Sequence, residues 1–222
     1  MRMKDKVTVI IGAGQSPGEG MGNGRATAIV FAREGAKVLC VDNRLESAQE
    51  TADLITKDGG TAAGFRADVM KDADMKAAVD EAVKMWGRLD TLHYNVGVSL
   101  GGGDKSPLEI SEEAFDRVNA INLRGFIMAC KHALPIMREQ RSGSILSISS
   151  VAALSASYAT VAYKTTKAGM IAYTEQIARH NAEYGVRANI ILPGLMDTPT
   201  AAAPRPGHGC RPSSAYPSAP AG

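Results

Sequence analysis

Six short apolar runs alternate along this chain with longer segments carrying apolar residues at helical spacing, and that alternation limits its fold more than any other feature. Val7–Ile11 and residues 37–41, 62–67, 89–95, 144–149 and 186–192 read as strands. Residues 25–34, Leu45–Lys57, 74–86, 112–139 and 162–184 read as helices, with Ser111 followed by Glu112 and Glu113 marking one helix start. A repeated strand–helix–strand order predicts parallel pairing through right-handed crossovers. Several of the strands are apolar almost throughout, as strands covered on both faces are. No hairpin turn separates neighbouring strands, which argues against an antiparallel α+β sheet. The expectation is a doubly wound, Rossmann-type α/β sheet of six strands in the order 3-2-1-4-5-6, with helices on both faces.

At 222 residues the chain suits one domain with a substantial core. We expect residues 1–200 to form a single dinucleotide-binding catalytic domain. Residues 201–222 differ in kind: they hold six Ala and five Pro and no Leu, Ile, Val, Met or Phe. Such a tail has no apolar face to bury and reads as disordered.

Charge and cysteine use exclude several function classes. The net charge is +2, and Arg205 and Arg211 in the tail can account for it, so no basic surface for nucleic acid or anionic lipid is expected. The apolar runs are strand-sized, which predicts no membrane span. Residues 1–6 are charged and run straight into a strand, leaving no room for a signal peptide. Cys40, Cys130 and Cys210, like the scattered His93, His132, His180 and His208, show neither disulfide nor metal spacing. A cytoplasmic protein without metal is expected.

The strand Val7–Ile11 opens into a loop containing Gly12, Gly14, Gly18, Gly20, Gly22 and Gly24, and a helix follows at once. A glycine-rich turn between a strand and a helix N-terminus is suited to a pyrophosphate, because main-chain N–H groups and the helix dipole face the anion. Asp42 closes the second strand, where a carboxylate can accept hydrogen bonds from ribose hydroxyls and repel a 2′-phosphate. This favours NAD as cofactor, although neighbouring Arg44 is a residue that could accommodate that phosphate.

Further on, Ser150 follows the fifth strand, and Tyr163 and Lys167 stand four apart in the last helical segment. On a helix those two share a face, so an ammonium beside the phenol should lower its pKa and fit it for proton transfer. Ser150 could then hydrogen-bond a developing oxyanion.

With these residues in view the chain resembles the short-chain dehydrogenase/reductase family from about Lys4 to Thr200. The family's glycine motif maps to Gly12, Gly22 and Gly24 with six extra residues in the loop. Its acidic adenine contact looks like Asp68, followed by Val69, and its Asn-Ala-Gly strand end appears as Asn95-Val96-Gly97. Asn122 resembles the asparagine of its catalytic tetrad, with Asn119 close by, and Ser150, Tyr163 and Lys167 match the rest. The resemblance implies that Lys167 also binds the nicotinamide ribose and that Asn122 holds a water in a proton relay. Pro193, Gly194 and Thr198 resemble the segment that contacts the nicotinamide.

A small-molecule secondary alcohol or ketone as substrate, and a homo-oligomer, are what the family implies. Family members continue past the position of Thr198 with a substrate lid, a helix and a seventh strand, where this chain has its Ala/Pro-rich tail. Two expectations therefore stand: an NAD(P)-dependent oxidoreductase with Tyr163 as acid/base, or a truncated nucleotide-binding protein without turnover.

Overall fold

The computed structural model describes residues 1–155, 158–196 and 198; the tail at 201–222 lies outside the described residues. Six strands form one parallel sheet in the order β3-β2-β1-β4-β5-β6, the order expected from the sequence. They are β1 (Val7–Ile11), β2 (Lys37–Asp42), β3 (Thr61–Arg66), β4 (Thr91–Tyr94), β5 (Gly143–Ile148) and β6 (Val186–Ile191). The helices are α1 (Asn23–Arg33), α2 (Leu45–Lys57), α3 (Asp72–Trp86), α4 (Glu112–Asn119), α5 (Gly125–Glu139) and α6 (Val161–Asn181). None of the helices is long and apolar enough to cross a membrane among the described residues.

Alternation along the central strands divides the core into two layers. Val7, Val9, Ile11, Leu39 and Val41 face α3, α5 and α6, where they meet Met75, Val79, Phe126, Met137 and Met170. Ile10, Val38 and Cys40 face α1 and α2, where they meet Ala28, Ala32, Ala52 and Ile55. β1 is therefore buried along its whole length, which explains its unbroken apolar sequence. Among the described residues β6 pairs with β5 alone, and one of its faces is open, Arg187, Asn189 and Ile191 being exposed.

The segment read as a single helix over 112–139 departs from expectation. α4 begins as predicted, with the Ser111 hydroxyl accepting the Ala114 N–H at 3.2 Å, but a π-helical turn over Ala120–Arg124 separates it from α5. Such a turn displaces carbonyls from the helical ladder, and the buried Tyr94 phenol donates to one of them, Ile121 O, at 2.5 Å. Gly125 makes room, since a Cβ there would stand 2.5 Å from the Tyr94 hydroxyl.

Candidate active site

Two sets of residues meet at the C-terminal ends of the central strands. The first is the glycine loop after β1. Gly12 takes φ +85°, and a Cβ on it would reach within 2.9 Å of Val96. Gly24 is tighter still: its Cβ would lie 1.8 Å from the Gly12 carbonyl oxygen, the same oxygen that accepts from Asn95 Nδ2 at 3.2 Å. Gly22 stands apart, because a Cβ there would meet only ordinary contacts, the nearest at 3.5 Å.

Gly14, which sequence reasoning did not single out, is constrained too, by side chains rather than by main chain. Its N–H donates to Asp42 Oδ2 at 3.2 Å, and a Cβ would fall 2.4 Å from that oxygen. The signal was present as a second glycine two residues after the first. The loop is tied down from α2, where Ser47 Oγ accepts the Gln15 N–H at 2.7 Å and Thr51 donates to the Ala13 carbonyl at 2.8 Å.

Asp42 also accepts the Arg44 N–H at 3.0 Å. The Arg44 guanidinium turns to the Gln15 carbonyl and to Ser47 Oγ. Gln15, Ser16, Pro17 and Gly18 wall a shallow cavity of about 330 Å³ with Arg44 and Ser47.

These features fit a dinucleotide. α1 is capped by Gly22 with no side-chain bond and has no acidic residue in its first turn, so its N-terminus is open to an anion. Three glycines, at 12, 14 and 24, stand where a Cβ would collide, which keeps the loop close to the sheet.

The second set gathers on β5, α6 and the π turn. Ser150 lies two residues beyond β5 and is largely buried. Its hydroxyl accepts the Ala152 N–H at 3.1 Å and hydrogen-bonds the Tyr163 side chain. Asn122 is fully buried; its Oδ1 accepts the Val98 N–H at 2.8 Å, and its Nδ2 donates to the Val98 carbonyl at 2.9 Å and to Thr166 Oγ1 at 3.1 Å. Asn122, rather than the half-buried Asn119, thus clamps the loop after β4 onto α6. Lys167 is buried, and a Cβ on Gly97 would lie 2.9 Å from its Nζ, so Gly97 is where the main chain passes the ammonium.

One sequence expectation fails here. The Tyr163 phenol stands above its ordinary pKa rather than below it, and the Lys167 ammonium is turned elsewhere. It lies 5.6 Å from the ring centroid and donates to the Ile148 carbonyl at 2.7 Å. A buried ammonium is costly unless it is hydrogen-bonded, and the carbonyl at the end of β5 meets that need. Burial pulls the Lys167 pKa down to about 8. Burial also pushes the Tyr163 phenol above its usual value, the Ser150 hydrogen bond working in the opposite direction.

The remaining predicted residues lie around these two sets. Asp68 accepts the Met70 N–H at 3.0 Å and gives its own N–H to Asp74 at 2.9 Å, which ties the end of β3 to α3. The Val69 carbonyl packs against Gly125. The Pro193 carbonyl accepts the Val151 N–H at 3.1 Å, bringing the segment after β6 beside Ser150. A Cβ on Gly194 would meet nothing within 4 Å, and the Thr198 N–H bonds back to the Met196 carbonyl at 3.0 Å.

Comparison with known proteins follows the same lines. The short chain dehydrogenase family pattern matches residues 6–208. The chain is 37% identical over 198 residues to an uncharacterized oxidoreductase of Bacillus subtilis, covering 89% of this chain and 69% of that one. It is 35% identical over 201 residues to levodione reductase of Leifsonia aquatica, covering 89% and 72%. Among solved structures, 7α-hydroxysteroid dehydrogenase complexed with NADH and 7-oxo glycochenodeoxycholic acid superposes with a TM-score of 0.81 at 30% identity, over 89% of this chain and 73% of the other.

Proposed function

The chain belongs to the short chain dehydrogenase family, a family of NAD(P)-dependent oxidoreductases, and on that premise we propose that it moves a hydride between NAD and a secondary alcohol or its ketone, with Tyr163 as the general acid/base. The observation that carries this reading is the meeting of Ser150, Tyr163, Lys167 and Asn122 from three separate elements at one end of the sheet, beside the glycine loop.

The substrate oxygen would be held between the Ser150 hydroxyl and the Tyr163 phenol. In ketone reduction Tyr163 gives its proton to the oxygen as hydride reaches the carbonyl carbon; in alcohol oxidation the phenolate takes the hydroxyl proton as hydride leaves. Ser150 hydrogen-bonds the oxygen as negative charge develops on it. Lys167 contributes positive charge below a pH of about 8 and would hold the ribose hydroxyls. Asn122 keeps the loop at Val98 in register with α6. The nicotinamide ring, when bound, is the hydride donor or acceptor. Because burial raises the Tyr163 phenol above its ordinary value, the protonated form that reduction needs is favoured, and oxidation should quicken as pH rises.

NAD is favoured over NADP by Asp42. Two main-chain N–H groups hold its carboxylate beside the glycine loop, and the arginine that would welcome a 2′-phosphate is engaged by Gln15 and Ser47.

A panel of secondary alcohols and ketones, followed by NADH formation or consumption with an NADP(H) control, tests the proposal. Turnover with NAD(H) is expected. A protein that binds NAD by calorimetry but turns over nothing on the panel, at neutral or alkaline pH, would overturn it.

A further inference from the structure

The first N–H groups of a helix have no partners within it, and at the start of α6 the usual local solution is missing. Thr160, at the cap position, makes no side-chain hydrogen bond to the helix. The acceptors come instead from the loop after β4. The Asp104 carboxylate takes the Ala162 N–H on Oδ1 at 3.0 Å and the Tyr163 N–H on Oδ2 at 2.7 Å. The Lys105 carbonyl takes the Val161 N–H at 3.0 Å. Asp104 is 1% exposed and lies 58 residues from the helix it caps.

Its own position is rigidly built. Leu100–Gly102 form a 3₁₀ turn, Gly103 follows at φ +91°, and the Asp104 N–H returns to the Ser99 carbonyl at 3.3 Å. Gly102 packs so closely that a Cβ would be 2.9 Å from Val118 of α4. The other end of this loop is fastened at Val98 by both polar atoms of Asn122. The loop 98–105 is therefore a bracket, with Asn122 at one foot and the main chain of Tyr163 at the other.

We propose that Asp104 is a positioning residue for catalysis, which sets the Tyr163 phenol against Ser150 by holding the first turn of α6 to this bracket. The inference rests on Tyr163 being the acid/base. Asp104 touches no reacting atom and acts only through the Tyr163 main chain. A helix start released from its cap can shift by a fraction of an ångström, and proton transfer is sensitive to displacements of that size.

The test compares wild type, Asp104→Ala and Asp104→Asn. NAD stoichiometry by calorimetry counts folded sites, so that kcat refers to folded protein. Asp104→Ala should lose about 100-fold in kcat per NAD-binding site while the NAD Kd stays within about 3-fold. Asp104→Asn keeps one oxygen for one N–H and should recover only in part, to about tenfold below wild type. Two readouts need no turnover. The Tyr163 phenol titration, taken as the absorbance difference from Tyr163→Phe, should move towards the ordinary tyrosine value in Asp104→Ala as the ring loosens. Amide exchange at Ala162 and Tyr163 should accelerate.

A kcat per site within about 3-fold of wild type in Asp104→Ala, or a phenol titration that does not move, overturns the proposal. If Asp104→Ala binds no NAD at all, Asp104→Asn decides, and a kcat within about twofold of wild type overturns it. A wild type silent towards every alcohol and ketone would sink the functional reading alone, because the phenol titration and amide exchange would still decide the position of Tyr163.

Discussion

The glycine loop and the Ser150–Tyr163 cluster lie on adjoining parts of one sheet, yet they are built from different materials. The loop is made of main chain. Residues 16–21 are exposed, and its shape comes from places where a Cβ cannot stand, at Gly12, Gly14 and Gly24. The cluster is made of side chains. Asn122, Ser150, Lys167 and Asp104 are all buried; Asn122, Lys167 and Asp104 are satisfied by groups remote in sequence, and Ser150 accepts from Ala152 in the turn it caps. A site of main chain can absorb extra residues in its exposed part so long as its few close approaches survive. A site of buried polar side chains has no such tolerance, because each unpartnered group costs about 1–3 kcal/mol.

The largest effect that would separate the two regions is Tyr163→Phe. Removing the proton-transfer group should lower kcat by ~10³-fold and leave NAD affinity intact, as measured by steady-state kinetics and calorimetric titration. A variant retaining a tenth of the wild-type kcat would mean that the cluster does not carry the chemistry.

Within the loop, Gly24→Ala should be the severe change. A Cβ 1.8 Å from the Gly12 carbonyl oxygen has to displace main chain, at a cost of about 3 kcal/mol or more, and the melting temperature should drop by roughly 6–12 °C. Gly22→Ala, whose Cβ meets nothing closer than 3.5 Å, should melt within about 2 °C of wild type and weaken NAD binding instead. Equal melting temperatures for the two variants would show that the loop is not held by these close approaches.

The two regions share β4, which pairs with β1 on one side and β5 on the other, and its His93 offers a way to ask whether they open together. His93 is buried beside Phe31, and burial pulls its pKa from 6.5 to about 4, opposed in part by the Leu146 main chain. The folded state prefers the neutral ring. The unfolded chain takes up a proton below about pH 6.5 and the folded one only below about 4. Stability from this group is thus complete above 6.5 and lost as pH falls through that window, by roughly 3 kcal/mol in all. Denaturant melts between pH 7 and 4 should show this loss, and His93→Leu should flatten it. NAD binding and turnover should fail together along the same curve, and separate midpoints would mean that the regions unfold independently.

The smallest expected change is in cofactor choice. Asp42→Ala should narrow the preference for NAD over NADP in kcat/KM by about tenfold, near 1.4 kcal/mol, without altering kcat on NAD. A higher kcat/KM with NADP in the unmodified protein would show that Arg44 outweighs the carboxylate.

Much of this arrangement was legible in the residues. Strand order followed from the alternation of elements, because parallel crossovers admit few topologies, and β1 was found at its full length. Helix boundaries were less exact. The run over 112–139 is apolar at helical spacing on both sides of the π turn, and periodicity alone cannot show that Tyr94 will draw a carbonyl out of it. Gly14 and Gly24 share one residue type, and only the folded loop shows that one presses on Asp42 and the other on Gly12.

The sequence by itself determined the fold class, the placing of a glycine loop after the first strand, and the grouping of Ser150, Tyr163 and Lys167, since all of these depend on spacing within or between neighbouring elements. Tertiary structure decided the electrostatics. Spacing put an ammonium on the same helical face as the phenol, but burial sent that ammonium to the Ile148 carbonyl and raised the phenol. It also decided that α6 is capped by Asp104 rather than by its own Thr160. Hydrogen-bond partners and desolvation are set by what lies nearby in space, and for a buried group most of those neighbours are distant in the chain.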